Sequence, residues 1–335
     1  MKSPERVWLA GFITLGFGIF LVISEEEKKV LKRQGYKLFG RNASAKLCHW
    51  TRKSIYGEGV CYKEKFYGIM CHRCIQMTPA TNACTQNCVF CWRAGDFSKV
   101  EVEDPDEPNE IVEGAVRAQQ EIVSGFGGEA KTDQKKWKEA REPKHAAISL
   151  SGEPFAYAPL GELVAEFHKK GLTTFIVSNG TFPERLAELK PLPTQMYLSL
   201  VAPDEMAYAK VCAPLVSDGW GKLGESLEIM KGLKARRVIR MTVVKGLNDF
   251  DEKGYAKMIL KAEPEFVEVK SYMHRGSSIK RLGKENMPSH GEIVAFGKRI
   301  AEESGYSLAD ESQPSRVVLL AKDGKAANAR MMRFD

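Results

Sequence analysis

The sequence predicts an α/β fold, a parallel sheet carried on helical crossovers with a cysteine-bearing extension on its N-terminal side. Three observations lead there. From residue 145 onward, short β-branched and apolar runs alternate with stretches of helical periodicity. Seven of the eight cysteines crowd between Cys48 and Cys91, ahead of that alternation. The 335 residues suffice for one barrel-sized domain of ~250 residues plus an extension.

Taken in order, an opening strand is expected near residues 68–77, directly before a cysteine loop. Residues 103–121 begin acidic and continue with helical spacing. Strands are expected at 145–150, 173–178, 195–201, 238–244 and 266–271, and helices at 160–170, 183–188, 220–234, 253–262 and 290–304. Strands joined through helices lie parallel with right-handed crossovers. Five or six such units are too few for a closed eight-stranded barrel, and functional groups of such folds collect at the C-terminal strand ends. Gly152-Glu153-Pro154 and Ser178-Asn179-Gly180 occupy two of these ends, and Ser199, Arg240, Thr242, Glu268 and Lys270 point to the mouth or interior. The glycine permits close backbone approach and the Glu153 carboxylate can accept hydrogen bonds from an ammonium group. An ordinary turn is the competing reading, above all for Asn179-Gly180.

Cys84, Cys88 and Cys91 form C-x3-C-x2-C in the run Ala83-Cys84-Thr85-Gln86-Asn87-Cys88-Val89-Phe90-Cys91-Trp92-Arg93. A cubane needs thiolates converging from one tight loop, and three of them leave one iron open to a small molecule. Zinc favours paired C-x2-C hairpins instead. Upstream, Cys48, Cys61 and Cys74 are separated by twelve residues each, and Cys71 lies between the last two. Several thiols in so short a segment point to a second ligand set. One rival arrangement pairs Cys71 and Cys74 with Cys88 and Cys91 as a zinc ribbon, which leaves Cys84 idle.

Composition fits a cytosolic redox enzyme, because clustered, loop-spaced cysteines in a chain this long suit metal ligation better than a disulfide scaffold. The formal charge of +7 is compatible with a polyanionic partner without requiring one. Residues 8–23 are apolar behind Lys2 and Arg6. The stretch is short of the ~20 residues of a membrane span, holds three glycines and lacks a small-residue cleavage site. We expect no membrane association and read residues 1–23 as a mis-assigned start, with Leu21 or Val22 as the initiating codon.

The Cys84-to-Trp92 run resembles the signature of the radical S-adenosylmethionine (SAM) superfamily. Together with Lys46-Leu47-Cys48-His49-Trp50, Cys61-Tyr62-Lys63-Glu64-Lys65-Phe66-Tyr67-Gly68, His72-Arg73-Cys74-Ile75-Gln76, Ser149-Leu150-Ser151-Gly152-Glu153-Pro154 and Lys270-Ser271-Tyr272-Met273-His274, it resembles the archaeal 4-demethylwyosine synthase family of tRNA-modifying enzymes. The resemblance covers nearly everything after residue 24. It implies a partial (βα)6 TIM-like radical SAM barrel, divided as an extension at 24–76, a core at 77–310 and a C-terminal segment at 311–335. It also implies two [4Fe–4S] clusters facing a common cavity, one on Cys84, Cys88 and Cys91 and an auxiliary one on Cys48, Cys61 and Cys74. Cys71 departs from the family pattern and is either a bystander, our preference, or a fourth ligand. By the same resemblance Gly152 and Glu153 receive the methionine part of SAM, and Lys63 meets pyruvate as a Schiff base or by charge pairing; the side chains of Ser178 and Asn179 can hydrogen-bond ribose hydroxyls.

The activity so implied condenses N1-methylguanosine beside the anticodon of phenylalanine tRNA with carbons of pyruvate. An external ferredoxin- or flavodoxin-like electron donor is expected, as are a monomeric state and a cytoplasmic location. Two basic stretches are candidates for RNA contact: Lys131 to Arg141 with Trp137, read mainly as a solvated helix face, and Arg275, Lys280, Arg281 and Lys284 beside a strand end, the better candidate. A radical SAM enzyme of other substrate, and a zinc-ribbon RNA-binding protein, are the alternatives.

Overall fold

A capping box opens the first helix of the described residues. Ser24 Oγ accepts from the Glu27 N–H while the Glu27 carboxylate accepts from the Ser24 N–H, which nucleates α1 (Glu25–Arg33). The structure, a computed structural model, describes residues 23–93 and 97–332, so the question of the start codon falls outside the described residues. An antiparallel pair follows, β1 (Tyr36–Phe39) and β2 (Ala43–Lys46), and β2 also runs antiparallel to β3 (Cys74–Thr78). Between β2 and β3 lie two short helices, α2 (His49–Ile55) and α3 (Tyr62–Tyr67).

After β3 the chain alternates. It forms α4 (Pro108–Ser124), α5 (Gln134–Ala140), β4 (His145–Ile148), α6 (Leu160–Lys169), β5 (Thr173–Ser178), α7 (Pro183–Glu188) and β6 (Gln195–Ser199). Then come α8 (Glu205–Cys212), α9 (Gly219–Gly232), β7 (Arg236–Val243), α10 (Glu252–Ala262), β8 (Phe266–Ser271) and α11 (His290–Ser304). The chain closes with β9 (Ser307–Ser312), β10 (Val317–Ala321) and α12 (Gly324–Asn328).

Strands β3 to β8 are parallel and neighbour one another in chain order, the six-unit half-barrel that the alternation predicts. Antiparallel strands extend both edges, giving the ten-stranded order β1-β2-β3-β4-β5-β6-β7-β8-β10-β9. Pairing is continuous through the boundaries expected at residues 76/77 and 310/311, which fall inside β3 and β9. The outermost strand, β9, is largely solvent-facing and carries Asp310 and Glu311, charges that discourage edge-to-edge association. Among the described residues no helix is long and apolar enough to cross a membrane.

The two-residue period of the strands separates two cores. On one face Ile75, Met77, Ile148, Ile176, Leu198, Ile239 and Val267 pack with the helices. On the other, Phe175, Tyr197, Val238 and Phe266 meet Tyr62, Phe66 and Tyr67 of α3. Helix α3 of the N-terminal extension thus lies on the inner face of the sheet, where a barrel enzyme keeps its chemistry. Phe66 has no exposed surface, so Phe66→Ala is expected to lower unfolding free energy by about 3–5 kcal/mol. Denaturant titration checks this, and a loss below about 1 kcal/mol would mean that α3 is not anchored there.

Candidate functional site

The signature loop leaves the C-terminal end of β3 and is held from several sides. The Cys84 N–H donates to the Lys99 carbonyl (2.8 Å) and the Glu153 N–H to the Ala83 carbonyl (2.8 Å). The Asn87 and Val89 N–H groups donate to the carbonyls of Ala213 and Val211 at the end of α8 (3.1 and 2.9 Å). Arg281 donates to the carbonyls of Val89 (3.1 Å) and Cys91 (2.6 Å). Burial pushes the Cys84 and Cys91 thiols up, and in each case the neighbouring Cys88 sulfur adds to the effect. Cys88 is raised too, first by contact with the Cys212 thiol and then by burial. Sulfurs placed this way ionise only against a strong local positive charge, which a bound metal centre supplies.

Gly152 and Glu153 press against the root of this loop. Gly152 has φ +66°, and a Cβ there would lie 1.8 Å from the Ala80 carbonyl oxygen and 2.5 Å from that of Ala83. Only glycine fits. The Glu153 carboxylate is buried and accepts from the N–H groups of Asn179 (2.7 Å) and Phe155 (3.1 Å). Burial pushes its carboxyl up to about 7, against the hydrogen bonds of Asn179, Ser178 and Phe155, which pull it down. Ser178 is itself buried, with its hydroxyl on Glu153 and accepting from the Gly180 N–H (3.0 Å). In this structure it therefore sets the carboxylate rather than facing a ligand. Asn179 donates from its amide to Thr85 Oγ1 (2.8 Å) and faces Cys84 Sγ at 3.8 Å. Gly152, Glu153 and Asn179 thus contact the signature loop, and Ser178 joins them through Glu153.

A cavity of about 630 Å3 opens on the inner face of the sheet, lined among others by Cys48, Cys61, Cys71, Cys74, Lys63, Arg240 and Lys270. Cys48 precedes α2, Cys61 precedes α3 and Cys74 opens β3, so three separate elements deliver these thiols. Burial pushes Cys61 and Cys74 up to about 12 each, with the Cys48 sulfur the next contribution in both. Cys71 is tied elsewhere. Its sulfur accepts from the Cys61 N–H (3.3 Å) and faces the Trp50 carbonyl (3.7 Å), and its N–H donates to Glu64 (2.8 Å). The zinc-ribbon pairing finds no support, because Cys71 and Cys74 line this cavity while Cys88 packs with Cys84, Cys91 and Cys212.

Lys63 turns into the same cavity, its Nζ 4.4 Å from the centre of the Tyr197 ring. Burial lowers its pKa and the Arg240 charge lowers it further, with Glu268 opposing. The carboxylate of Glu268, fully buried, accepts from the hydroxyls of Tyr62 and Tyr67 at 2.9 Å each. The signature thiols do not line the cavity; that loop reaches it through Trp92. Arg93, nearly buried, stacks on Trp92 at 3.5 Å and feels the sulfurs of both Cys91 and Cys48, which places it between the two cysteine sets.

Of the two basic stretches, the first loses its aromatic: the Trp137 ring N–H donates to the Val123 carbonyl (2.9 Å) and packs beside Phe126. In the second, Arg275 lies 4.5 Å from the Trp92 ring at the cavity, and Lys280 and Lys284 are exposed, whereas Arg281 serves the signature loop. The Tyr62–Glu268–Tyr67 bridge and the placement of Arg93 have no local signal in the sequence. Gly152→Ala is expected to destabilise the fold by at least about 2 kcal/mol through backbone strain and overlap with Ala80. An unchanged denaturation midpoint would contradict the tight contact.

Residues 78–259 match the family model of the Radical SAM superfamily, and residues 261–322 that of Wyosine base formation. The chain is 48% identical over 320 residues to the S-adenosyl-L-methionine-dependent tRNA 4-demethylwyosine synthase of Pyrococcus abyssi, a match covering 92% of this chain and 94% of that protein. It superimposes on a solved structure of TYW1 with a lysine-pyruvate adduct bound at TM-score 0.81 and 41% identity, covering 90% of this chain and 97% of the other. A crystal structure of archaeal TYW1 matches at TM-score 0.77 and 37% identity, over 92% and 100% of the respective chains. Radical SAM proteins work with SAM and a [4Fe–4S] cluster. With identity this high over nearly its whole length, the chain belongs to the family of S-adenosyl-L-methionine-dependent tRNA 4-demethylwyosine synthases.

Proposed function

We propose that this chain builds 4-demethylwyosine on phenylalanine tRNA, joining the N1-methyl carbon of N1-methylguanosine beside the anticodon to carbons of pyruvate. One observation carries the reading: Lys63 shares a cavity with Cys48, Cys61 and Cys74, next to a second set of three thiols in the signature loop. Both donor sets suit iron–sulfur cubanes, being all-sulfur and grouped in threes, with Cys84 buried and the other five half-buried. Cys84, Cys88 and Cys91 would hold the cluster that binds SAM, and Cys48, Cys61 and Cys74 an auxiliary one, with Cys71 hydrogen-bonded behind it as a bystander. The SAM-bound cluster, when present, supplies a 5′-deoxyadenosyl radical able to take hydrogen from the methyl group.

This chain's residues do the rest. Glu153, held by Asn179, Ser178 and Phe155, offers its free lone pairs to the SAM ammonium, and Gly152 keeps that carboxylate against the loop. Asn179, half-buried beside Cys84, is placed to meet the ribose. The Lys63 amine attacks the pyruvate ketone carbon, losing water to give an imine. Its lowered pKa favours the neutral, nucleophilic amine, and the lysine-pyruvate adduct of the similar TYW1 structure supports the covalent form over charge pairing. Arg275 on the cavity lining, with the exposed Lys280 and Lys284 farther along the same segment, would meet the tRNA backbone, and the flipped base would enter at a cost of about a few kcal/mol. The electron comes from a ferredoxin- or flavodoxin-like donor, and the enzyme acts as a cytoplasmic monomer.

Iron and sulfide analysis of anaerobically reconstituted protein is expected to give about eight iron atoms per chain, about four in Cys84→Ala or in Cys48→Ala, and about eight in Cys71→Ala. A full complement in Cys48→Ala would remove the auxiliary cluster from the account. With labelled pyruvate and N1-methylated tRNA, Lys63→Ala should lower incorporation at least about a hundredfold. Wild-type incorporation by that variant, or labelling of tRNA lacking the methyl group, would overturn the mechanism.

A further inference from the structure

We infer that Arg240 and Lys270 form the carboxylate-binding end of the site whose ketone end is Lys63, and that they select short 2-oxo acids over uncharged ketones. The inference rests on the assignment of pyruvate to the Lys63 cavity. Arg240 on β7 and Lys270 on β8 line this cavity from adjacent strands, in register through the pairs Arg240–Glu268 and Thr242–Lys270. Glu268 is the only fully buried carboxylate that either cation faces among the described residues, and both its oxygens are taken by the tyrosine hydroxyls of α3. Its approach to Arg240 is 3.9 Å, too long for a hydrogen bond.

Among the described residues the Arg240 guanidinium therefore donates no hydrogen bond, although it is a five-donor fork on a cavity wall. Lys63 Nζ likewise has no oxygen acceptor there, its neighbour being the Tyr197 ring. Lys270 has one, the Ser315 carbonyl. Arg240 and Lys270 thus face one buried carboxylate, and each of its oxygens already accepts a tyrosine hydroxyl. A substrate carboxylate would supply the acceptor that the Arg240 fork lacks. The planar fork of Arg240 matches a carboxylate geometrically, and Lys270 adds a point charge two residues beyond Glu268 on the same strand face. Burial and the Arg240 charge already push Lys270 down to about 7, so an anion arriving between the two would hold it protonated.

The test uses the cluster-loaded enzyme without SAM, offered pyruvate or its neutral counterpart pyruvamide, with borohydride trapping read by intact-protein mass spectrometry. Wild type should trap pyruvate at much lower concentration than pyruvamide. Arg240→Leu and Lys270→Met should each shrink that preference by roughly ten- to a hundredfold, the value of one charge-assisted hydrogen bond, while Arg240→Lys retains part of it. Because each variant is its own control for folding, a general loss of structure lowers both compounds together and leaves the ratio alone. An unchanged ratio in both Lys270→Met and Arg240→Leu would overturn the inference and place the carboxylate elsewhere, such as on an iron. Should wild type trap neither compound, the imine at Lys63 fails by itself. Equilibrium dialysis with labelled pyruvate then decides the inference, which requires weaker binding in the same two variants and is refuted by equal binding.

Discussion

The site depends on a short helix being held inside the sheet. Helix α3 carries Cys61 at its start and Lys63 in its first turn, and both reach the cavity because Tyr62, Phe66 and Tyr67 pack against the strand face beneath them. The polar part of that contact is the buried Glu268 carboxylate, which accepts from both tyrosine hydroxyls. Leaving such a carboxylate without partners costs several kcal/mol, so the bridge is specific as well as cohesive. It fixes the rotation of α3, and with it the direction in which the lysine and the thiol point.

A second constraint acts at the opposite end of β3. There the Gly152 backbone touches the root of the signature loop so closely that no side chain fits between them, and Glu153, Ser178 and Asn179 are all engaged with that loop or with one another. Since β3 joins Cys74 to the loop that bears Cys84, the two cysteine sets are coupled through a single strand. Trp92 and Arg93 fill the space between them.

Much of the core was legible because its information is local. Thr173–Ser178, Phe266–Ser271, Pro183–Glu188 and His290–Ser304 appear at the bounds that their residue patterns suggest. The six-unit parallel order then follows from connection rules. The antiparallel edges were not legible, since β1 and β2 are four residues each and β9 is largely polar and exposed. Helix α3 was hidden for a different reason: its six residues carry no amphipathic repeat long enough to read, and the acceptor for Tyr62 lies 206 residues away. For the site, the spacing of Cys84, Cys88 and Cys91 pointed to the radical SAM superfamily that the chain matches. The positions of Arg240 and Lys270 depend on strand register across β7 and β8, so a sequence pattern marks them only as polar interior residues.

The central claim is that the two cysteine sets hold two separate clusters, one at the signature loop answering to SAM and one at the cavity answering to pyruvate. Electron paramagnetic resonance of the reduced, anaerobic protein tests it most directly. The account predicts two overlapping [4Fe–4S] signals, one altered by SAM alone and lost in Cys84→Ala, the other altered by pyruvate alone and lost in Cys48→Ala. A single signal, or one signal that responds to both compounds, would contradict it.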